Sequence, residues 1–438
     1  MLLQKLFVIL HLLVEFAQFR FLSILLKKIN KDMKVLWFSI TPSMYDVKTC
    51  GGWVASLERI VRQYGNDIQL GIAFEHSDKC FKHVQEGVTY YPMNTITSKF
   101  DKFRMMVEYD YEWKLLCPKM QKVIADFKPD VIQCFGTEWP FGLIAECIDI
   151  PIVIHMQGFS TIYNLSAYMT HRTFDMYKYH HYNPFSMIRY WYRDTKKNKS
   201  NIREKKIMEL NFNYMGRTEW DRNIVKYFNP KARYFHCEEA LRSEIINSSF
   251  SWKFQKRNKM RIVTISSASS LKGNDLILRS AQILKEFGFD FEWRVAGSKD
   301  SFKFFESILG ISHENLNIKL LGMLNAENVA KELSEADVYV HTAIIDNSPN
   351  SLCEAQYLGC PIVSSYIGGI PQLIEDGKTG FFYPYNEPHT LAFKLMSLFN
   401  QEKVLKQVSN NEKNVATRRH DDKAIFEQLH GVYKELLQ

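Results

Sequence analysis

Asp346-Asn347-Ser348-Pro349-Asn350-Ser351-Leu352-Cys353-Glu354 runs directly into Ala355-Gln356-Tyr357-Leu358-Gly359-Cys360-Pro361-Ile362-Val363, and Gly368-Gly369-Ile370-Pro371 follows shortly after. The residues ahead of it, Val338 to Thr342, form an apolar run of buried-strand type, and Asp346 to Asn350 is dense in residues that turn a chain and start a helix. Ser351 to Leu358 then predicts a helix whose first-turn N–H groups have no partner within it, so they suit a phosphate above the strand end. Pro361 stops that helix, Ile362 to Ser365 is the next strand, and Gly368-Gly369 permits a close-approaching loop. Two carboxylates flank the helix start. Asp346 precedes it and suits sugar hydroxyls, while Glu354 lies about one turn inside and suits a ribose diol. The same order of strand, loop, helix and strand also occurs in ordinary α/β domains, so the acid pair alone does not decide between the two.

The stretch resembles the E-x7-E region of retaining glycosyltransferases of the group 1 family, which have the GT-B fold of two Rossmann-like parallel-sheet domains facing a central cleft. Pro349, Asn350, Ser351, Leu352, Glu354, Ala355, Gly359, Pro361, Gly368, Gly369, Ile370 and Pro371 match the family pattern. Asp346 stands where the family has Glu, one methylene shorter. The resemblance implies a nucleotide-sugar donor, with a UDP- or GDP-sugar expected, and no further cofactor. It also implies transfer to an acceptor hydroxyl with retention at the anomeric carbon, the leaving phosphate taking the acceptor proton.

Alternating strands and helices extend this organisation toward the N-terminus, the rhythm of a parallel sheet. Val35 to Ser39 is a first strand, Gly51-Gly52-Trp53 opens a helix, and Ile68 to Ala73 is a second strand. Gly51 and Gly52 sit where a backbone approaches a ligand closely, and they match the family's glycine-rich loop between donor and acceptor. Val131 to Cys134 leads to Gly136-Thr137-Glu138, and Pro151 to Ile154 places His155 at a strand's carboxyl end, where ligands collect in open sheets. A lone histidine is commonly structural, whereas the resemblance puts His155 against the donor sugar. Leu210 to Met215 is expected to be a strand leading to Gly216-Arg217-Thr218-Glu219-Trp220-Asp221, similar to a G-R-T-x-W-D phrase of a bacterial subset. Arg217 suits a phosphate or acceptor anion, and equally an ion pair with Glu219 or Asp221.

In the second half, Arg261 to Ile265 predicts a strand followed by a small-residue loop, Ser266 to Gly273, and a helix over Asp275 to Lys285. Lys272 and Gly273 match the family's G-R-L-x-x-x-K-G, whose Arg and Lys grip the donor diphosphate, but Ser267 falls at the Arg position. Lys272 is left as the main cation. Gly297 and Gly322 end later strands in the order of the family's nucleotide pocket. The expected catalytic residues are therefore His155, Asp346 and Lys272. Donor binding falls to Gly51, Gly52, Arg217, Gly273, Gly297, Asn350, Ser351, Leu352 and Glu354, and no D-x-D metal motif is present.

Composition is consistent with such an enzyme. The 438 residues are 46% hydrophobic and 24% charged, enough for two domains with their own cores. Eight cysteines show no C-x-x-C spacing, which points to reduced thiols in a cytoplasmic setting rather than disulfides or zinc. The net charge of +8 is compatible with an anionic membrane, a phosphorylated substrate or nucleic acid, and the absence of a recognition motif disfavours nucleic acid.

The expected domains are an apolar helix over 1–32, an acceptor-binding domain over 33–245, a linker over 246–259, a donor domain over 260–420 and a terminal helix over 421–438 that returns to the first domain. Residues 1–32 carry a narrow polar stripe and too many charges for a simple membrane span, which suits a membrane-surface anchor on the inner face; packing on the protein or an upstream start are the alternatives. An insertion near 163–206 interleaves Tyr and Trp with Lys and Arg, as at an anionic membrane interface, or as in a solvated helix pair. Polysaccharide or lipid-linked glycan assembly is the function expected from these features. A sugar-nucleotide epimerase sharing the fold is the alternative.

Overall fold

The computed structural model describes residues 32–45, 52–94, 98, 100–101, 104–105, 108, 110–170, 183–267 and 269–438. Nearly all of the expected N-terminal helix, Gly51, and residues 171–182 of the insertion lie outside the described residues.

Two sheets organise the chain. The first contains β1 (Met33–Ser39), β2 (Ile68–Glu75), β3 (His83–Gln85), β4 (Val88–Met93), β5 (Val131–Phe135), β6 (Ile152–His155), β7 (Asn213–Gly216) and β8 (Arg233–His236) in the order β3-β4-β2-β1-β5-β6-β7-β8. The second contains β9 (Met260–Ser266), β10 (Phe291–Gly297), β11 (Ile318–Gly322), β12 (Val338–His341), β13 (Ile362–Ser365) and β14 (Phe381–Tyr383) in the order β11-β10-β9-β12-β13-β14. Only the β3–β4 pairing is antiparallel. The central strands are buried along their lengths, Val131–Phe135 and Val338–His341 among them, because helices cover both faces. This is the GT-B architecture, with two parallel α/β domains whose strand ends meet at a cleft.

Three local features differ from the sequence expectations. The helix Pro184–Leu210 runs to Leu210, where a strand is expected, and the strand proper is Asn213–Gly216. Asn211 ends the helix by donating its amide to the Ile207 carbonyl at 2.9 Å and the Gly142 carbonyl at 3.0 Å. The polar stretch 246–259 is anchored rather than free. Trp252 is buried in the second core, its indole N–H donating to the Ala336 carbonyl at 2.7 Å and its backbone N–H to Leu358 at 2.9 Å. Ala240 packs in the first core and Leu241 in the second, so the chain crosses between domains there, ahead of the expected linker. The chain crosses back beside the same point, where the His420 ring meets the Glu239 carbonyl at 2.7 Å.

The last helix, Asp422–Leu436, then packs against Trp53–Tyr64 of the first domain. Its Tyr433 hydroxyl accepts from the Trp37 indole at 2.9 Å and donates to Gln133 Oε1 at 2.5 Å, all buried. Arg59 holds the start of that helix through Asp422 at 2.5 and 2.9 Å.

Candidate active site

The loops after β9 and β12 lie side by side at the carboxyl edge of the second sheet. Ser270–Lys272 forms a tight turn, and Thr342 Oγ1 donates to the Lys272 carbonyl at 2.7 Å, so the Lys272 side chain is delivered from a fixed backbone. Its Nζ lies 2.6 Å from Asp346 Oδ2, and His341 Nε2 stands 3.4 Å from the same oxygen. Burial alone would raise the Asp346 carboxyl, but Lys272 and His341 hold it well below the ordinary carboxylate range. Asp346 is therefore a fixed anion.

Helix Asn350–Leu358 begins beside this pair, with Pro349 as its cap. The Leu352 and Cys353 N–H groups turn onto the Pro349 carbonyl at 3.0 and 3.1 Å, and Leu352's side chain is wholly buried. Asn350 and Ser351 remain on the cavity wall.

A cavity of about 420 Å³ opens here between the domains. Its second-domain side carries Ser266, Ser267, Lys272, Asp346, Asn350 and Ser351, and its first-domain side carries Trp53, Glu138, Gln157, Tyr163 and Arg217. Lys272, Asp346, Asn350, Ser351 and Arg217 are thus gathered around one space. Such a cleft, with a cation and a carboxylate on each wall, is a form suited to a phosphorylated, hydroxyl-rich small molecule.

Arg217 does not make the ion pair expected with Glu219 or Asp221. Asp221 is committed to the local turn, accepting from the N–H groups of Arg217 and Thr218 at 3.2 Å each within a capping box. The Arg217 guanidinium instead meets Glu239 at 2.6 Å, where both side chains are 3% exposed, and stands 5.4 Å from the Trp53 ring centre. Burial works against its charge, and Glu239 with Asp221 more than restores it. Glu239 is pushed up to about 7 by burial, with Arg217 acting in the opposite direction. Oriented with its nitrogen toward Glu239, the Asn350 amide donates to both carboxylate oxygens. Glu239 therefore ties both domains together at the crossing. Nothing local in the sequence marks Glu239, a glutamate whose importance comes from where the chain changes domains.

Other expected site residues lie apart from this cavity wall. Glu354 is buried and bound by both oxygens to Arg242, at 2.7 Å each, and is not on the wall. Arg242 lines a second cavity of about 370 Å³ together with Gly52, Arg59, Ser243 and Asn325. His155 lies behind Trp53, with ring centres 4.6 Å apart, and its Nδ1 meets the Gln133 amide at 3.1 Å. Burial, aided by Arg217, keeps its imidazole neutral. The His155 Nε2 has no hydrogen-bond partner among the described residues. Gly273 and Gly297 serve close packing. A Cβ at Gly273 would fall 1.9 Å from the Thr342 carbonyl oxygen, and one at Gly297 would fall 1.6 Å from that of Ser266.

The fold and the cleft are those of the GT-B class. Residues 247–415 match the family described as Glycosyl transferases group 1. Among curated proteins, the amylovoran biosynthesis glycosyltransferase AmsK of Erwinia amylovora is 28% identical over 149 residues, which is 33% of this chain and 37% of that protein. The capsular polysaccharide biosynthesis glycosyltransferase CapM of Staphylococcus aureus is 22% identical over 234 residues, 46% of this chain and 60% of its own. The chain thus spans well under half the length of AmsK and less than two thirds of CapM. Among solved structures, sucrose-phosphate synthase of Thermosynechococcus elongatus superposes with a TM-score of 0.69 at 13% identity, covering 92% of this chain and 99% of the other. Anabaena HepE in complex with UDP-glucose superposes with a TM-score of 0.62 at 15% identity, covering 92% and 100%.

Proposed function

We propose that this protein is a retaining glycosyltransferase that moves a sugar from a nucleotide-diphosphate donor to a hydroxyl of a glycan or lipid-linked acceptor in bacterial polysaccharide assembly. The observation that carries the proposal is the Lys272–Asp346 pair at 2.6 Å beside the start of helix Asn350–Leu358, all facing a cleft between two α/β domains. In this assignment Lys272 and the helix start stabilise the departing diphosphate, and Arg217 supplies the second cation that Ser267 cannot. Asp346 fixes the sugar. Glu354 takes the ribose once Arg242 yields an oxygen to it, and His155 supports the sugar from behind Trp53. The polysaccharide setting follows from the relatives' names, and HepE supports a UDP-sugar ahead of a GDP-sugar.

Peripheral attachment to the inner face of the cell membrane belongs to the same proposal. Phe185, Ile188 and Trp191 recur along one side of helix Pro184–Leu210 and are 81%, 60% and 69% exposed, among many basic residues. Among the described residues no helix is long and apolar enough to cross a membrane.

Calorimetric titration with a panel of UDP-, GDP- and ADP-sugars tests the core of the proposal. One class should bind, and K272A should weaken that binding; a panel without any binder would refute the assignment. Proton NMR of the product's anomeric centre tests retention.

A further inference from the structure

The cleft wall opposite Lys272 presents a carboxylate with one oxygen that no group among the described residues satisfies. β5 ends at Phe135, and Gly136-Thr137-Glu138 carries the chain over the edge of the first sheet. The Glu138 side chain folds back over Gly136, whose φ is +73° and where a Cβ would stand 2.0 Å from Oε2. This turn is held from behind. Arg203 donates to the Glu138 carbonyl and meets Glu112 at 2.7 Å. Glu204 accepts from Thr137 Oγ1 at 2.6 Å and from the N–H groups of Ser160 and Thr161 at 2.8 and 2.7 Å. Burial pushes the Glu138 carboxyl up to about 7, with backbone hydrogen bonds from Glu138 and Thr137 acting in the opposite direction, and Oε2 of Glu138 is buried without a hydrogen-bond partner among the described residues.

An unsatisfied buried acceptor is costly, and its natural complement is a donor brought by a ligand. Glu138 is half-buried on the cavity wall, so a ligand in the cleft meets its carboxylate, whose Oε2 is turned inward over Gly136 and comes to the cleft by rotation about the last side-chain bond. Tyr163 lies on the same wall, its ring folded against Gly158. Burial, then Asp346 and Glu138, hold the Tyr163 phenol far above its ordinary range, which places its hydroxyl within the field of both carboxylates. Of the groups suited to the donor diphosphate, Lys272 and the Asn350 helix start are on the other domain, and Arg217 shares this wall.

We infer that Glu138 is the acceptor-hydroxyl subsite: its carboxylate, with Oε2 turned to the cleft, receives the hydrogen bond of the incoming O–H and holds that oxygen toward the sugar bound between the two walls. The inference rests on the glycosyltransferase reading above. Water is the smallest group of this chemistry, so slow hydrolysis of the bound nucleotide sugar reads the subsite even where the glycan is unknown.

The test takes the full chain, finds its nucleotide sugar by calorimetry, and compares wild type, E138Q and E138A for donor Kd, for nucleotide release at saturating donor, and for thermal midpoint. E138Q keeps the shape, so it should bind donor within about twofold of wild type and retain the midpoint, while hydrolysis falls at least about tenfold; E138A should fall further. Unchanged hydrolysis in E138Q, an equal loss of donor affinity, or donor binding by the wild type without detectable hydrolysis would each overturn the inference. A wild type that binds no nucleotide sugar would instead remove the glycosyltransferase reading itself.

Discussion

Lys272 Nζ and Asp346 Oδ2, 2.6 Å apart, join two loops that come from adjacent strands of the second sheet and are 74 positions apart in the chain. The lysine that suits a diphosphate thus has an intramolecular partner before any donor arrives. Under the proposed assignment, donor binding exchanges part of that contact for phosphate oxygens while His341 continues to face Asp346.

Replacing Lys272 by alanine should weaken nucleotide-sugar binding about 10- to 100-fold, the worth of one charge-assisted contact of roughly 1.5–3 kcal/mol. The same substitution leaves Asp346 buried without its main counter-charge. The folded-state carboxyl is depressed below the ordinary 3.8, so its contribution to stability is present above that pH and is lost as pH falls below it. K272A should lose this acid sensitivity, which urea unfolding at pH 7 and pH 3 would reveal.

Glu239 gives the opposite sign. Its folded carboxyl is raised from 4.5 to about 7, so between these values the folded protein binds more protons than the unfolded chain. Stability from this residue is therefore full below about pH 4.5 and declines as pH rises toward 7. E239Q should flatten that part of the profile, measured by denaturant unfolding across pH 5 to 8. A slope that persists unchanged in E239Q would refute the assignment.

Arg242 should matter more for folding than for charge balance. Removing it leaves Glu354, 2% exposed, as a buried carboxylate without its bidentate partner, and such losses cost about 3–5 kcal/mol. R242A should therefore unfold early, whereas the pair R242M/E354L should recover much of the loss. Chemical denaturation of the four proteins of the cycle measures the coupling.

Cys117 and Cys147, whose Sγ atoms are 3.7 Å apart on the first domain, should join under a mild oxidant such as diamide. The product is lighter by two hydrogens, the electrons having passed to diamide, and mass spectrometry of the tryptic peptides should find it in wild type and not in C147S. Burial and the neighbouring thiol push Cys117 up to about 11, so the more exposed Cys147 should be the sulfur that reacts first. Closing this loop should stabilise the first domain by roughly 3–4 kcal/mol.

The sheets are legible in the sequence because strands buried on both faces read as unbroken apolar runs. Val35 to Phe38 and Ile152 to Ile154 need no partner information to be recognised. Lys272, Asp346, Asn350 and Ser351 are legible because helix starts and strand-end loops have local signatures, and the structure brings those residues together. Glu138 and Glu239 are not. Each acquires its character from burial and from side chains far along the chain, Glu204 for the former and Arg217 with Asn350 for the latter. Trp252 was hidden differently: one aromatic within a polar, basic stretch looks like a linker until its indole is seen to reach Ala336. Helix Pro184–Leu210 overran the expected strand because Asn211, a residue of turns as well as caps, serves here as its stop.

The two crossings between the domains run side by side, with the ring of His420 on the carbonyl of Glu239, and the end of the chain is fastened into the far domain by Tyr433. Two parallel pins define a single axis, as on a door. The contacts of Asp422 with Arg59 and of Tyr433 with Trp37 keep the last helix on the first domain, so the two domains are joined along that line and through the cleft-side contact of Glu239 with Asn350. The geometry that aligns the two walls is thus set at the crossing itself, where Glu239 also lines the cleft.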